Sequence, residues 1–386
     1  MSDPVVALVF GTRPEAIKLA PIYTELKRRS QPVRVIVTAQ HRGLLDQMLA
    51  VFDMQPDVDL NIMEEGQTLS EVTCRALTGL QETFQRVRPD IVLVQGDTTT
   101  VLGGALAAFY ERIPIGHVEA GLRTRDKFSP FPEEINRRLT SHMADVHLAP
   151  TRRARHNLQG EGLDPLSIFV TGNTIVDALL WVKDRAPDLA GTEYAWVDDL
   201  VGRTILTTIH RRENLGVPFT SICLALLELA GKYPEINIIF PMHPNPKVRA
   251  AAHELLGASP RIHLCEPPDY LHFVALMQRV DLLIVDSGGI QEEAPALCIP
   301  VLVVRETTER PEGIEAGVTR LVGTQTNTVV AAAAELLDNP SAYEAMASGA
   351  NPYGDGRAAE RVVGALEYFL GVRDSRPPDY DWRQEQ

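Results

Sequence analysis

Cysteine is scarce: the chain has four in 386 residues, Cys74, Cys223, Cys265 and Cys298, and none forms a C-x-x-C pair. That excludes a disulfide scaffold and a thiolate metal site, and the apolar surroundings read as reduced core positions. Ten histidines fall into no H-x-x-x-H or other metal spacing, so no metal is expected. No apolar run approaches the roughly 18 residues of a membrane-spanning helix. No basic stretch with a cleavable apolar core precedes the first strand, so no signal peptide is expected and the chain reads as cytoplasmic. Positive charge is in deficit, with 37 Lys and Arg against 51 Asp and Glu, a net charge of −14 and a pI of about 5.2. This balance argues against nucleic acid and membrane surfaces as partners. An anionic ligand would need a local cluster of cations and helix termini. Neither G-x-G-x-x-G nor G-x-x-x-x-G-K-[ST] occurs, which removes support from dinucleotide redox chemistry and P-loop hydrolysis. G-x-S-x-G is missing as well, and no cofactor is expected.

What is present is a regular alternation. Short apolar runs at 5–10, 33–37, 91–95, 113–118, 146–148 and 168–170 alternate with helical patterns at 14–29, 41–52, 67–88, 99–112, 132–144 and 152–159. After a polar stretch at 184–202 the alternation restarts, with strands at 204–209, 236–240, 262–264, 282–285 and 300–304. Strand–helix alternation implies βαβ units and parallel sheets. The chain is therefore expected to be α/β, with two doubly wound Rossmann-like domains and a ligand cleft between them. The expected domains are 1–172, completed by the final helix near 357–372, and 173–356. The charged, Pro-containing tail from 373 is expected to fray.

Polar clusters follow several of these strands, where open α/β sheets place their sites. Asp286-Ser287-Gly288-Gly289 ends a buried strand and opens a helix. Ser287 can cap that helix, and the glycines let an anion approach unpaired N–H groups. Glu293, about two turns on, could accept from a vicinal diol; a ligand-free strand-to-helix turn is the competing reading. Arg13 and Lys18 could face a diphosphate, unless Arg13 merely pairs with Glu15 and Lys18 is solvated. Asp97 is a strand-end carboxylate or only a helix N-cap. Glu119, half buried after an apolar strand, suits a general base, or else an ion pair with Arg123 or Arg125. Glu133 and Glu134 open a helix where the macrodipole alone would favour acids. His210-Arg211-Arg212-Glu213-Asn214 is denser in polar groups than a turn needs, and His243 ends the next strand similarly. Phe273 could stack a base or be core, and Arg310 could reach a phosphate or sugar hydroxyl.

Taken together, Gly11-Thr12-Arg13-Pro14-Glu15, Gln95-Gly96-Asp97-Thr98-Thr99, His117-Val118-Glu119-Ala120-Gly121-Leu122-Arg123, Phe131-Pro132-Glu133-Glu134-Ile135-Asn136-Arg137, His210-Arg211-Arg212-Glu213-Asn214, Asp286-Ser287-Gly288-Gly289 and Arg305-Glu306-Thr307-Thr308-Glu309-Arg310-Pro311 resemble the bacterial non-hydrolysing UDP-N-acetylglucosamine 2-epimerases. The resemblance covers residues 4 to 370. It implies a GT-B architecture, a homodimer and interconversion of UDP-GlcNAc with UDP-ManNAc, a surface-polysaccharide precursor. The reaction it implies is anti elimination of UDP to 2-acetamidoglucal, followed by re-addition of UDP.

By the same resemblance, Asp97, Glu119 and Glu133 are the acid/base candidates and His210 assists the leaving diphosphate. Arg13, Lys18, His210 and Arg310 would hold phosphate or sugar groups, and Phe273, Ser287, Gly288, Gly289 and Glu293 the uridine diphosphate. Pro268 stands where relatives contact uracil through main chain, and can offer only its carbonyl. Some relatives carry an activating second UDP-GlcNAc site. Gln40, Glu133, Arg211 and His243 match it here, whereas Gly43 and Gly66 replace its Gln and Arg. A hydrolysing epimerase, a GT-B glycosyltransferase and a non-catalytic UDP-sugar sensor are the alternatives.

Overall fold

A computed structural model describes residues 3–39, 42–64 and 66–384. The chain divides into two compact units, Met1–Ala178 with Tyr353–Asp381, and Leu179–Pro352 with Trp382–Gln386. The first unit contains β1 (Val6–Phe10), β2 (Val33–Val37), β3 (Val58–Asp59), β4 (Ile91–Gln95), β5 (Ile115–Val118), β6 (Val146–Ala149) and β7 (Ile168–Val170). They form one parallel sheet in the order β3-β2-β1-β4-β5-β6-β7. The second unit contains β8 (Thr204–Thr208), β9 (Asn237–Pro241), β10 (Ile262–Cys265), β11 (Leu282–Val285), β12 (Val301–Val303) and β13 (Thr319–Leu321). Their order, again all parallel, is β10-β9-β8-β11-β12-β13. Both units are therefore doubly wound, as expected. The winding reverses between β1 and β4 in one unit and between β8 and β11 in the other, and open sheets bind ligands at such switch points.

The central strands are apolar runs because helices cover both faces: Val6–Phe10 and Leu282–Val285 are buried throughout. Close helix packing also depends on Gly103. A Cβ there would stand 2.9 Å from the Cβ of Ala76, so helices Leu69–Val87 and Thr99–Tyr110 meet through small residues. β3 and β13 were not anticipated. Both are short edge strands, and Arg320 breaks the apolar pattern in the second. Helices Pro311–Glu315 and Pro340–Ala347 were likewise missed, and β5 starts at Ile115, two residues later than its apolar run.

Two expectations need correction. Cys74 and Cys298 are exposed, and only Cys223 is fully buried. Residues 376–380 of the tail are docked on the first unit rather than frayed. Arg155 pairs with Asp379 at 2.5 Å, the Tyr380 N–H donates to Val170 O at 2.7 Å, and Arg376 donates to Leu166 O at 2.6 Å. No helix among the described residues is long and apolar enough to cross a membrane.

Helix Ala358–Phe369 is tied back to the first unit by Asp177, whose carboxylate accepts the N–H groups of Ala358 at 3.2 Å and Ala359 at 2.8 Å. Burial, with the Asp355 charge adding, pushes Asp177 up to about 7 from an ordinary 3.8. A folded-state value above the unfolded one gives stability that is complete below pH 3.8 and lost as pH rises through 7. Asp177→Asn is therefore expected to lessen the fall in Tm between pH 4 and 7, measured by scanning calorimetry; an unchanged slope would reject it.

Candidate active site

In the first unit the ends of β4 and β5, the residues after β7 and the helix Arg13–Arg28 supply a network centred on Glu119. This carboxylate accepts from Lys18 Nζ at 2.5 Å, Gln95 Nε2 at 2.5 Å and Asn173 Nδ2 at 2.9 Å. Its side chain is 7% exposed and its φ is +63°, a left-handed conformation that a residue with a Cβ holds only when its surroundings fix it. The partners are not Arg123 or Arg125. Arg123 instead makes a two-pronged bond to Glu161, at 2.9 Å on each oxygen. Nor is Lys18 a solvated helix residue, since its side chain is 13% exposed. Asn173 also donates its backbone N–H to Tyr353 O at 2.6 Å, tying the network to the point where the chain re-enters this unit.

Asp97 does not cap the helix that follows it. Thr98 does, accepting from the Val101 N–H at 3.3 Å, which leaves the Asp97 carboxylate to pair with Arg137. Burial pushes the Asp97 carboxyl above its usual range; Arg137 opposes that and the charge of Glu119 adds to it. The partner helix, Glu133–Met143, sends Asn136 Nδ2 to Asp97 O at 2.9 Å and begins with Glu133. Glu133 Oε2 is buried without a hydrogen-bond partner among the described residues. Its neighbour Glu134 is a loop anchor, accepting the N–H groups of Thr124 at 3.1 Å and Arg125 at 3.2 Å.

Two further groups brace these loops. Glu15 is 2% exposed and accepts from Gly11 N, Thr12 N and Thr98 Oγ1 at 3.0, 2.7 and 2.7 Å, so both its oxygens are engaged and the Arg13–Glu15 pairing fails. His117 is fully buried, and burial pushes it down to about 3, so the ring is neutral. Its Nε2–H donates to Gly96 O at 2.8 Å, holding the turn before Asp97 at φ +80°.

In the second unit the ends of β8 and β11 meet. Asp286, 0% exposed, accepts the N–H groups of His210 at 3.0 Å and Arg211 at 2.8 Å and the Asn214 amide at 2.9 Å. The His243 ring stacks on His210 with 6.0 Å between centroids. Beside them Glu309 accepts from Arg305 at 2.6 Å and lies 3.2 Å from Arg310. Burial would raise Glu309, but the two guanidiniums outweigh it and bring the carboxyl down to about 2. Arg310 also donates to Glu292 at 2.9 Å. A Cβ on Gly288 would stand 3.2 Å from Arg310 Cζ, so that glycine makes room for the guanidinium.

Ser287 occupies the N-cap position of Gly288–Glu293, but its hydroxyl makes no cap bond. That helix has six residues, so the macrodipole is weaker than expected and the N–H groups carry any anion affinity. Glu293 is 6% exposed and accepts from Tyr270 Oη at 2.8 Å, with Oε2 facing Gly289. Phe273 is partly exposed on helix Tyr270–Met277, and Pro268 is half-buried in the loop before it. Arg13, at the start of helix Arg13–Arg28, is partly exposed in the first unit. Of the residues matching the second UDP-GlcNAc site, Glu133 belongs to the first unit and Arg211 and His243 to the second, while Gln40 lies outside the described residues. Gly43 and Gly66 have open space where a side chain would stand.

Sequence reasoning gave no role to Gln95, Asn173, His117 or Asp286, although each lies within or beside a polar strand-end cluster. Their position at the ends of apolar runs, or for His117 as a polar residue inside one, was the available signal.

A family model and close sequence relatives point to one family. A family model described as UDP-N-acetylglucosamine 2-epimerase matches residues 24–367. The UDP-N-acetylglucosamine 2-epimerase of Yersinia pestis is 52% identical over 369 residues, covering 94% of this chain and 98% of that protein. Among solved structures, the S. aureus MnaA–UDP complex aligns with a TM-score of 0.87 at 46% identity, covering 98% of this chain and 100% of that one. The Neisseria meningitidis UDP-GlcNAc 2-epimerase bound to UDP-GlcNAc aligns at 0.85 with 45% identity, covering 94% and 99%. With its two doubly wound sheets and carboxylate-rich strand ends, the chain belongs to the UDP-N-acetylglucosamine 2-epimerase family.

Proposed function

We propose that this protein interconverts UDP-GlcNAc and UDP-ManNAc without net hydrolysis, by anti elimination of UDP and re-addition to 2-acetamidoglucal. The observation that carries this reading is the separation of roles among the carboxylates of the first unit. Glu119 accepts from Lys18, Gln95 and Asn173, which fixes the orientation of its carboxylate. Asp97, whose burial lifts its carboxyl above the ordinary range and which lies within the charge field of Glu119, is the carboxylate assigned to remove the C2 proton. Glu133, with its unpartnered oxygen, takes the complementary acid/base role. In the second unit, Ser287, Gly288, Gly289, Glu293, Phe273 and Pro268 hold the nucleotide. His210 and Arg310 take the diphosphate, with Arg13 and Lys18 binding phosphate or sugar groups from the first unit. The family resemblance further supports a homodimer working in the cytoplasm on a precursor of surface polysaccharides.

Incubation with UDP-GlcNAc in D2O is the test. Deuterium is expected at C2 together with UDP-ManNAc. Free ManNAc released in step with substrate loss would indicate the hydrolysing reaction instead. Turnover only with an added acceptor would indicate a glycosyltransferase, and UDP binding without C2 exchange would reject the proposal.

A further inference from the structure

A carboxylate withdrawn from water needs its lone pairs filled. Asp286 fills them from the loop after the adjacent strand, because β8 and β11 pair in register with Val285 opposite Thr208. Oδ2 accepts the His210 and Arg211 N–H groups and the Asn214 amide. A loop anchor would stop there. Oδ1, however, also lies 3.1 Å from Nδ1 of the His210 ring, whose side chain is 37% exposed. An imidazole whose Nδ1 faces a carboxylate has its tautomer and orientation set, and its opposite nitrogen becomes the working one.

We infer that Asp286 is a positioning residue for His210: it holds Nδ1 and stabilises the imidazolium, so that Nε2–H is presented to the departing diphosphate oxygen. This rests on the epimerase reading above. In the elimination the C1–O electron pair moves to the diphosphate oxygen, the C2 proton passes to the base and C1=C2 forms. The Nε2 proton is shared with that oxygen and returns on re-addition. Among the described side chains, the other titratable or charged groups around His210 are His243, stacked on the ring, and Arg211, whose Nη2 lies 3.4 Å from Glu309. Burial, with the His210 charge adding, keeps His243 below its ordinary range, and among the described residues Asp286 is the anion in contact with the His210 ring.

The test compares Asp286→Asn, His210→Asn and the double variant, with NMR titration of labelled histidines in the enzyme without substrate. Asp286→Asn is expected to lower kcat roughly 10- to 100-fold with KM little changed. The alkaline limb of its pH profile and the His210 titration should both move down, because the imidazolium loses its counter-charge. In the His210→Asn background the same change should cost nothing more. Losses that multiply, or an unmoved His210 titration, would overturn the inference and leave Asp286 a loop anchor. If Asp286→Asn fails to fold, Asp286→Glu keeps the charge and should lower kcat with the alkaline limb in place; wild-type kcat would overturn it. Failure of the epimerase reading is distinct: wild type would not turn over UDP-GlcNAc, yet the His210 titration would still shift.

Discussion

Asp97→Asn is expected to lower kcat roughly 10²- to 10⁴-fold, the range for removing a positioned acid or base. The substitution is nearly isosteric, and the amide oxygen can still accept from Arg137, so the turn after β4 should persist. What disappears is the ability to take a proton. UDP affinity should be unchanged, because Asp97 is not among the residues assigned to the nucleotide or its phosphates. The wild-type profile carries a signature of the same group. A base must be deprotonated, and burial raises the Asp97 carboxyl, so the acid limb of kcat should lie above the ordinary Asp value of about 3.9. C2 deuterium exchange in Asp97→Asn near the wild-type rate would assign the proton to another carboxylate. Calorimetric titration with UDP separates that outcome from a general loss of binding.

The second large effect concerns Glu119. Glu119→Gln removes the counter-charge of Lys18 and replaces one acceptor oxygen with an NH2 group that opposes the donors around it. Losing one partner of a buried ion pair costs about 3–5 kcal/mol, because the remaining charge stays buried. Thermal stability should therefore fall by that order, and kcat by at least roughly 100-fold, with UDP affinity retained. Lys18→Met added to Glu119→Gln should recover part of the stability by removing a buried ammonium that has lost Glu119, but none of the activity. Calorimetric scans of the single and double variants read the first effect, and C2 exchange reads the second. Full activity in Glu119→Gln, or a parallel loss of UDP binding, would contradict the assignment.

Much of this was legible in local pattern. Apolar runs such as Val6–Phe10 and Leu282–Val285, alternating with helices, announce two parallel sheets, because strands covered on both faces must be apolar throughout. The short edge strands β3 and β13 escape that logic, since an edge needs little apolar length and Arg320 interrupts one of them. The tail was misread for a related reason. Its charges suggest solvent, and only the positions of Arg155, Val170 and Leu166 show what they bind.

At the site, the chain itself determines which residue types stand at strand ends: a carboxylate after β4, another after β5, and a histidine–arginine cluster after β8. Those placements follow from where apolar runs stop, which is a local property. Which group meets which is decided by strand order. β4 lies between β1 and β5, so Lys18, Gln95 and Glu119 converge, and the return of the chain near 173 brings Asn173 to the same carboxylate. β11 lies against β8, so Asp286 reaches His210 across 76 residues of sequence. No spacing rule in one dimension encodes those pairings. They arise because hydrogen-bonded neighbours in a doubly wound sheet are chosen by the winding, and the pKa of each carboxylate depends on the partners it acquires there.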